Sequence, residues 1–110
     1  MFKIDDNRVT LTRGDSCAFD VEIKTDSGEI YTPVDTDVIT FTMKKDSKSS
    51  DVLIKKTGTT IVLNPEDTRS FKYGNYLYDV TLTTAGGAVY TIIPPTEFIL
   101  ADEIHWERRT

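Results

Sequence analysis

The chain contains 110 residues, the size of one domain, and has an ordinary globular balance of 38% hydrophobic and 28% charged residues. Its single cysteine excludes an internal disulfide, and no apolar run approaches the roughly 18–20 residues that span a bilayer. The net charge of −5 provides no overall field for phosphate backbones, so nucleic-acid binding is disfavoured.

The composition favours strands over helices. Threonine, valine and isoleucine together supply 35 of the 110 residues. Side chains branched at Cβ lose rotamer freedom in a helix and pack well on a pleated sheet. The chain is therefore predicted to be mostly β.

Three segments in the first half of the chain alternate between apolar and polar residues. These are residues 9–12, 17–24 and 39–43, and each predicts a strand with one buried face. The turn residues at 26–29 close the second strand as a hairpin. The polar stretch 44–51 predicts an exposed loop.

The second half begins with two short strands, at residues 52–57 and 60–63, and then carries the only helix signal. Asn64 is a suitable N-cap and Pro65 suits the first helical position, which predicts one helical turn around residues 65–71.

Residues 75–84 form the longest predicted strand, with Tyr76 and Tyr78 on its buried face. Residues 89–93 return after a glycine-rich turn, and the two prolines at 94–95 are expected to end that strand. A final strand includes Phe98 and Leu100.

These signals together predict one all-β domain over residues 1–110, with its core in about 8–100. Seven to nine short strands at regular spacing indicate an immunoglobulin-like antiparallel β-sandwich. The segment Pro65–Thr68 followed by Gly74–Tyr78 resembles the corner before strand F of such sandwiches, where a tyrosine hydroxyl bonds back to the backbone. The cysteine pair of antibody domains is absent, and Trp106 lies outside the position of their strand C.

No constellation of side chains indicates catalysis. The only histidine, His105, has no cysteine cluster around it in the sequence, so no metal site is expected. A nucleophile–base pair of Cys17 with His105 is disfavoured, because Cys17 adjoins a half-buried strand. The chain is expected to be no enzyme and to use no cofactor and no metal.

Three further patterns have both a structural and a functional interpretation. Arg13-Gly14-Asp15 spells an integrin-binding tripeptide but stands where a tight turn is wanted. The lysines between Lys44 and Lys56 form the one basic cluster, and acidic residues interrupt it. The late tyrosines are either a binding surface or core, and the alternation of residues 76–80 favours core.

The C-terminal segment 101–110 is a candidate interface tail. It places a large aromatic side chain beside two arginines, and tryptophan and arginine are enriched at binding hot spots. The candidate interface residues are Ile104, Trp106, Arg108 and Arg109. Packing back on the domain and disorder are the alternatives for this segment.

The order of several segments resembles the N-terminal domain of phage baseplate upper proteins, across residues 8–100. The segments that carry the resemblance are Val9–Asp15, Phe19–Ile23, Asp26–Gly28, Ile39–Lys45, Pro65–Thr68, Gly74–Val80 and Gly86–Thr91. The resemblance implies a non-enzymatic component of a virion that assembles into larger rings or hubs. No functional residues transfer from it, because the shared positions are turns and core.

We therefore expect a structural subunit of a phage or prophage virion, from its baseplate, tail or neck region. Its expected partners are other virion proteins and copies of itself, and neither nucleic acid nor membrane. The expected location is the virion, assembled in the bacterial host cytoplasm. The alternative is a monomeric immunoglobulin-like binding module for a carbohydrate or cell-surface ligand, with Tyr31, Tyr73 and Trp106 as its candidate exposed aromatics.

Overall fold

A computed structural model of the chain describes residues 2–5, 7–25 and 27–101, with side chains from residue 7 onward. The described part is mostly β, which confirms the predicted class. Its elements are β1 (Phe2–Asp5), β2 (Arg8–Thr12), β3 (Cys17–Asp20), β4 (Ile23–Lys24), β5 (Ile30–Tyr31), β6 (Val38–Lys44), β7 (Ile54–Thr57), β8 (Thr60–Leu63), α1 (Pro65–Thr68), β9 (Gly74–Thr83) and β10 (Val89–Ala101).

The strands form one large curled sheet and two small ones. The large sheet has the order β1-β2-β10-β9-β6-β7, while β3 pairs with β8 and β4 with β5. It is mixed rather than wholly antiparallel as expected, because β2 runs parallel to β10. Short connections between successive strands favour antiparallel pairing. That rule does not apply to β2 and β10, because they lie at opposite ends of the sequence.

The core follows the alternation seen in the sequence. Ile39, Phe41 and Met43 on β6 are buried, and so are Tyr76 and Tyr78 on β9. Ring contacts link the layers, with the Phe41 centroid 6.1 Å from that of Phe19 on β3. The pair β3–β8 therefore packs across the inner face of the large sheet.

The described residues hold ten strands instead of seven to nine, and several bounds differ from those expected. Residues 17–24 divide into β3, which pairs with β8, and β4, which pairs with β5. The strand β10 continues through Pro94 and Pro95, with shifts of register on either side of Ile93. Such irregularities accommodate prolines, which cannot donate to the ladder.

The helix α1 is shorter than the predicted turn at 65–71. Its first turn is held by the Asp67 carboxylate, which accepts the Asn64 amide at 2.7 Å. The same carboxylate lies 3.0 Å from the Lys56 ammonium group. The two contacts fix α1 against β7 and direct the chain into β9.

The end of the molecule that contains α1, the 13–16 turn and residues 69–73 is cross-braced, and we call it the closed end. The hydroxyl of Thr68, which is fully buried, accepts the Gly14 amide at 3.0 Å. The Arg13 guanidinium donates to the Phe71 carbonyl at 3.1 Å, and the Tyr76 hydroxyl donates to the Lys72 carbonyl at 2.7 Å. The Thr68 and Tyr76 braces join loops to α1 and β9, and the Arg13 brace joins two loops.

Candidate binding cleft

A cleft opens at the other end of the large sheet, between β3–β5 on one side and β9–β10 on the other. The hairpin β1–β2 extends the large sheet beside β10, and its turn ends at Asn7, whose carbonyl accepts the Tyr78 hydroxyl. Within the described residues, β2 pairs with β10 at Phe98–Ala101 alone. The edge of β10 before Phe98 therefore has no described strand beside it.

The cleft has two adjoining lobes of about 430 and 500 Å³, which share Lys24, Thr91 and Ile92. Its lining combines apolar and aromatic side chains, which we call the floor, with polar side chains, which we call the rim. The floor consists of Phe19, Val21, Ile23, Tyr31, Tyr78, Leu82, Tyr90, Ile92 and Ile93, and the rim of Asp20, Glu22, Lys24, Thr25, Thr84 and Thr91. An apolar floor with convergent polar groups is typical of binding sites.

Two tyrosines, Tyr31 and Tyr90, line the larger lobe. The Tyr31 hydroxyl donates to the Asp37 carboxylate at 2.5 Å, and this hydrogen bond raises the pKa of Tyr31 above its ordinary value. Tyr90 is 56% exposed, although it stands opposite buried Leu82 on β9. Tyr90 is exposed because the small β4–β5 sheet leaves this part of the inner face uncovered.

The backbone of β10 offers an unpaired strand edge beside the cleft. The Thr84 amide donates to the Ala88 carbonyl at 2.9 Å, so the backbone groups of Ala88 point toward β9. Because successive residues of a strand alternate in direction, those of Tyr90 also point toward β9, and those of Val89 and Thr91 point away from it. Within the described residues no strand pairs with that outer side before Phe98. Such an edge is a template for an added strand.

Further exposed apolar side chains lie at this end of the molecule, with Val38 and Val89 on the outer face of the large sheet. Val89 is 63% exposed and pairs with Thr83 on β9. On its other side Thr83 pairs with Val38 on β6, and Val38 is exposed as well. Ile30 on β5, which is 66% exposed, adjoins Tyr31 of the cleft. We call the region formed by the cleft and these residues the open end. Clusters of exposed apolar residues mark interaction sites.

The Arg13-Gly14-Asp15 segment belongs to the closed end. Besides its bond to Phe71, the Arg13 guanidinium donates to the Tyr73 hydroxyl at 3.1 Å and lies 4.3 Å from the ring centroid. The amide of Asp15 closes the turn onto the Thr12 carbonyl. The tripeptide forms a structural turn whose arginine is bound within the domain. Tyr73 precedes Tyr78, the first β9 residue that lines the cleft, by five residues, which is about 17 Å along an extended strand.

The basic cluster is not a single surface. The Lys56 ammonium group is paired with Asp67 at 3.0 Å, and that of Lys45 lies 4.7 Å from the centroid of the Tyr76 ring. Lys55 is exposed on β7. The structure thus divides the lysines between α1, β9 and solvent.

Cys17 is buried on β3, opposite Leu63. Burial raises the pKa of its thiol to about 11, so the thiolate that a nucleophile needs is suppressed at neutral pH. Its proposed base, His105, lies outside the described residues, as do Ile104, Trp106, Arg108 and Arg109 of the candidate interface. The predictions made for these residues therefore stay predictions.

Within residues 7–25 and 27–101, no cluster of three histidine, cysteine, aspartate or glutamate side chains is arranged to hold a metal ion. In the same part of the chain, no helix is long and apolar enough to cross a membrane.

Comparison with protein-family models, with curated proteins and with solved structures gives no significant match for this chain.

Of the candidate exposed aromatics, Tyr31 lies in the cleft and Tyr73 at the closed end, while Trp106 lies outside the described residues. Tyr90 was not among those candidates, and the alternation of residues 76–80 does not determine its face. A signal was present in the adjacent Ile92-Ile93-Pro94-Pro95 run, because two apolar residues followed by two prolines interrupt the alternation that would bury Tyr90.

Proposed function

We propose that the chain is a non-enzymatic structural subunit of a phage or prophage particle, in its baseplate, tail or neck region. It acts by protein–protein assembly. The observation that carries this proposal is the open end, where an unpaired strand edge, exposed valines and an apolar cleft occur together. Burial of an exposed apolar side chain such as Val89 against a protein partner lowers the free energy, because apolar surface is removed from water.

The sheet topology supports an immunoglobulin-like sandwich as the finer fold. In such sandwiches two sheets pack face to face and share one core. Here β6, β9 and β10 lie together in one sheet, and the β3–β8 pair faces them. The Tyr76 hydroxyl on the Lys72 carbonyl, at the start of β9, has the arrangement of a tyrosine corner.

The assignment to a phage or prophage particle rests on the resemblance of residues 8–100 to the N-terminal domain of baseplate upper proteins. The proposed partners are other virion proteins and further copies of the chain, without nucleic acid, membrane or cofactor. The proposed location is the virion, assembled in the bacterial host cytoplasm.

This proposal is tested in the source strain. We expect prophage induction, followed by density-gradient purification of particles, to bring the chain down with the particle band in a fixed ratio to the major tail protein. An antibody against the chain and quantitative mass spectrometry provide the measurement. A chain that stays in the particle-free fractions would contradict the proposal.

The second candidate function is a binding module for a carbohydrate, and the presence of Tyr31 and Tyr90 in one lobe of the cleft favours it. Aromatic faces beside threonine hydroxyls can bind sugar rings by stacking and hydrogen bonding. Binding on a glycan array that Tyr31→Ala and Tyr90→Ala both abolish, while Tyr73→Ala preserves it, would support this function. An array without signal would remove it.

A further inference from the structure

We infer that the cleft is an acceptor for an added strand, and that the strand is the C-terminal segment of a second copy of this chain, centred on Ile104 and Trp106. This inference rests on the proposed assembly function and specifies the contact by which copies associate. An extended segment would pair with the outer edge of β10 at Val89 and Thr91 and direct alternate side chains onto the cleft floor.

The acceptor has the properties that strand addition requires. The outer backbone groups of Val89 and Thr91 point away from β9, and no described strand covers them. The floor beside this edge is apolar, with Ile92 and Tyr90 incompletely buried. Main-chain hydrogen bonds give such a complex its affinity, and pockets for alternate side chains give it specificity.

The C-terminal segment matches this acceptor in pattern and charge. Ile104 and Trp106 are two residues apart, so both side chains of an extended segment point to one face. Arg108 continues that face, and the rim of the cleft carries Asp20, Glu22 and Lys24. The Lys24 ammonium group lies 3.8 Å from the Glu22 carboxylate, so within the described residues Asp20 is the rim carboxylate without a cation beside it, and an arginine there would make a charge-assisted contact.

The segment of the same copy cannot occupy this site. Tyr90 precedes Ala101 by eleven residues in one strand, which is about 36 Å at the usual rise of ~3.3 Å per residue. Five residues separate Ala101 from Trp106, and they span at most about 18 Å. The donor must therefore come from another copy.

Trp106 is the only tryptophan, so its fluorescence reports on the proposed contact directly. We expect the molar mass of the full chain from light scattering to rise above 12.4 kDa with concentration, and the Trp106 emission to shift to the blue over the same range. Protection of Trp106 from acrylamide quenching should follow the same curve.

Two full-length variants separate donor from acceptor. Trp106→Ala removes the donor side chain, and Tyr90→Arg places a cation on the cleft floor to repel Arg108. Each should weaken self-association roughly tenfold or more, which corresponds to about 1.4 kcal/mol. The matched controls are His105→Ala, on the other face of the extended segment, and Val62→Arg, at an apolar β8 residue that is 45% exposed outside the cleft. Both controls should associate as the unmodified chain does.

Mixing completes the test. Trp106→Ala keeps an intact acceptor and Tyr90→Arg keeps an intact donor, so an equimolar mixture should form a dimer that neither variant forms alone. Far-ultraviolet circular dichroism of each variant checks that it is folded.

A chain that stays monomeric at every concentration, or a Trp106 emission independent of concentration, would overturn the inference. So would assembly of Tyr90→Arg with unchanged affinity. In these cases recovery of the chain with particles would still support the proposed function, because a subunit can join its neighbours through another surface.

Discussion

The closed end and the open end of the large sheet use the same kind of residues for different purposes. At the closed end Tyr76 is buried and its hydroxyl is bound by the Lys72 carbonyl, whereas Tyr90 at the open end is 56% exposed. Loops with buried partners cover the closed end, and Thr68 there accepts the Gly14 amide. The comparison indicates that stability is concentrated at one end and interaction capacity at the other.

The largest effect is expected from Phe98→Ala, in the part of β10 that the closed end covers. Phe98 is fully buried, with its ring centroid 5.9 Å from that of Tyr78 and 6.2 Å from that of Phe41. Truncation should lower the free energy of unfolding by about 3–5 kcal/mol, measured by urea denaturation. The control Val89→Ala lies in the same strand at the open end and should cost less than about 0.5 kcal/mol. Equal losses would remove the distinction between the two ends.

The next largest effect concerns the brace between α1 and the 13–16 turn. Thr68→Val keeps the side-chain volume and removes the hydroxyl that accepts the Gly14 amide, so a donor is left without its partner. We expect a loss of about 1–3 kcal/mol in the free energy of unfolding. In the control Thr60→Val an exposed threonine loses its 2.7 Å bond to Asp20, and water replaces it. A Thr68→Val protein as stable as that control would contradict the assigned role of the brace.

The closed end is the more predictable of the two from sequence. Alternation along residues 75–84 predicts the burial of Tyr76 and Tyr78, because a strand with one covered face has period two. The start of α1 is likewise predictable, because the N-cap Asn64 and Pro65 are recognised from neighbouring residues in the sequence. Leu77 departs from the alternation of β9, because it is an apolar residue on the polar face, and its side chain is half-buried.

The cleft was not predictable in this way, because it depends on which strands stay unpaired. Alternation predicts which face of a strand is buried, but it does not predict which strand pairs with which. No local pattern in the sequence therefore shows that the pairing between β2 and β10 begins only at Phe98. The bonds of Arg13 to Phe71 and Tyr73 likewise join residues 58 and 60 positions apart. The two prolines of β10 do indicate an interruption of the strand alternation. Whether Tyr90 is exposed depends, however, on how far the β4–β5 pair covers the inner face, and that pair is distant in the sequence.

A smaller effect is expected where the two ends meet, at the hydrogen bond of the Tyr78 hydroxyl to the Asn7 carbonyl. Tyr78→Phe should cost about 1 kcal/mol at neutral pH. Burial raises the pKa of Tyr78 from 10.0 to about 12, so the unfolded chain loses this proton first as the pH rises. The contribution of the group to stability is complete below pH 10 and is lost between pH 10 and about 12.

Urea denaturation of both proteins across this pH range measures the effect. The difference in the free energy of unfolding between the original chain and Tyr78→Phe should be constant below pH 10 and should shrink above it. Taking the difference cancels the titration of Cys17, whose pKa is about 11 and which both proteins retain. A constant difference up to pH 12 would show that Tyr78 is not the group responsible.

The smallest effect on folding is expected from Tyr90→Ala at the open end. The ring has little buried area to lose, so the free energy of unfolding of the monomer should change by less than about 0.5 kcal/mol. Tyr76→Ala, the matched change at a buried tyrosine, should cost about 3–5 kcal/mol. Urea denaturation at a concentration below any self-association provides the measurement. If Tyr90→Ala destabilised the monomer as strongly as Tyr76→Ala, the ring would belong to the core, and neither a strand nor a sugar could be assigned to it.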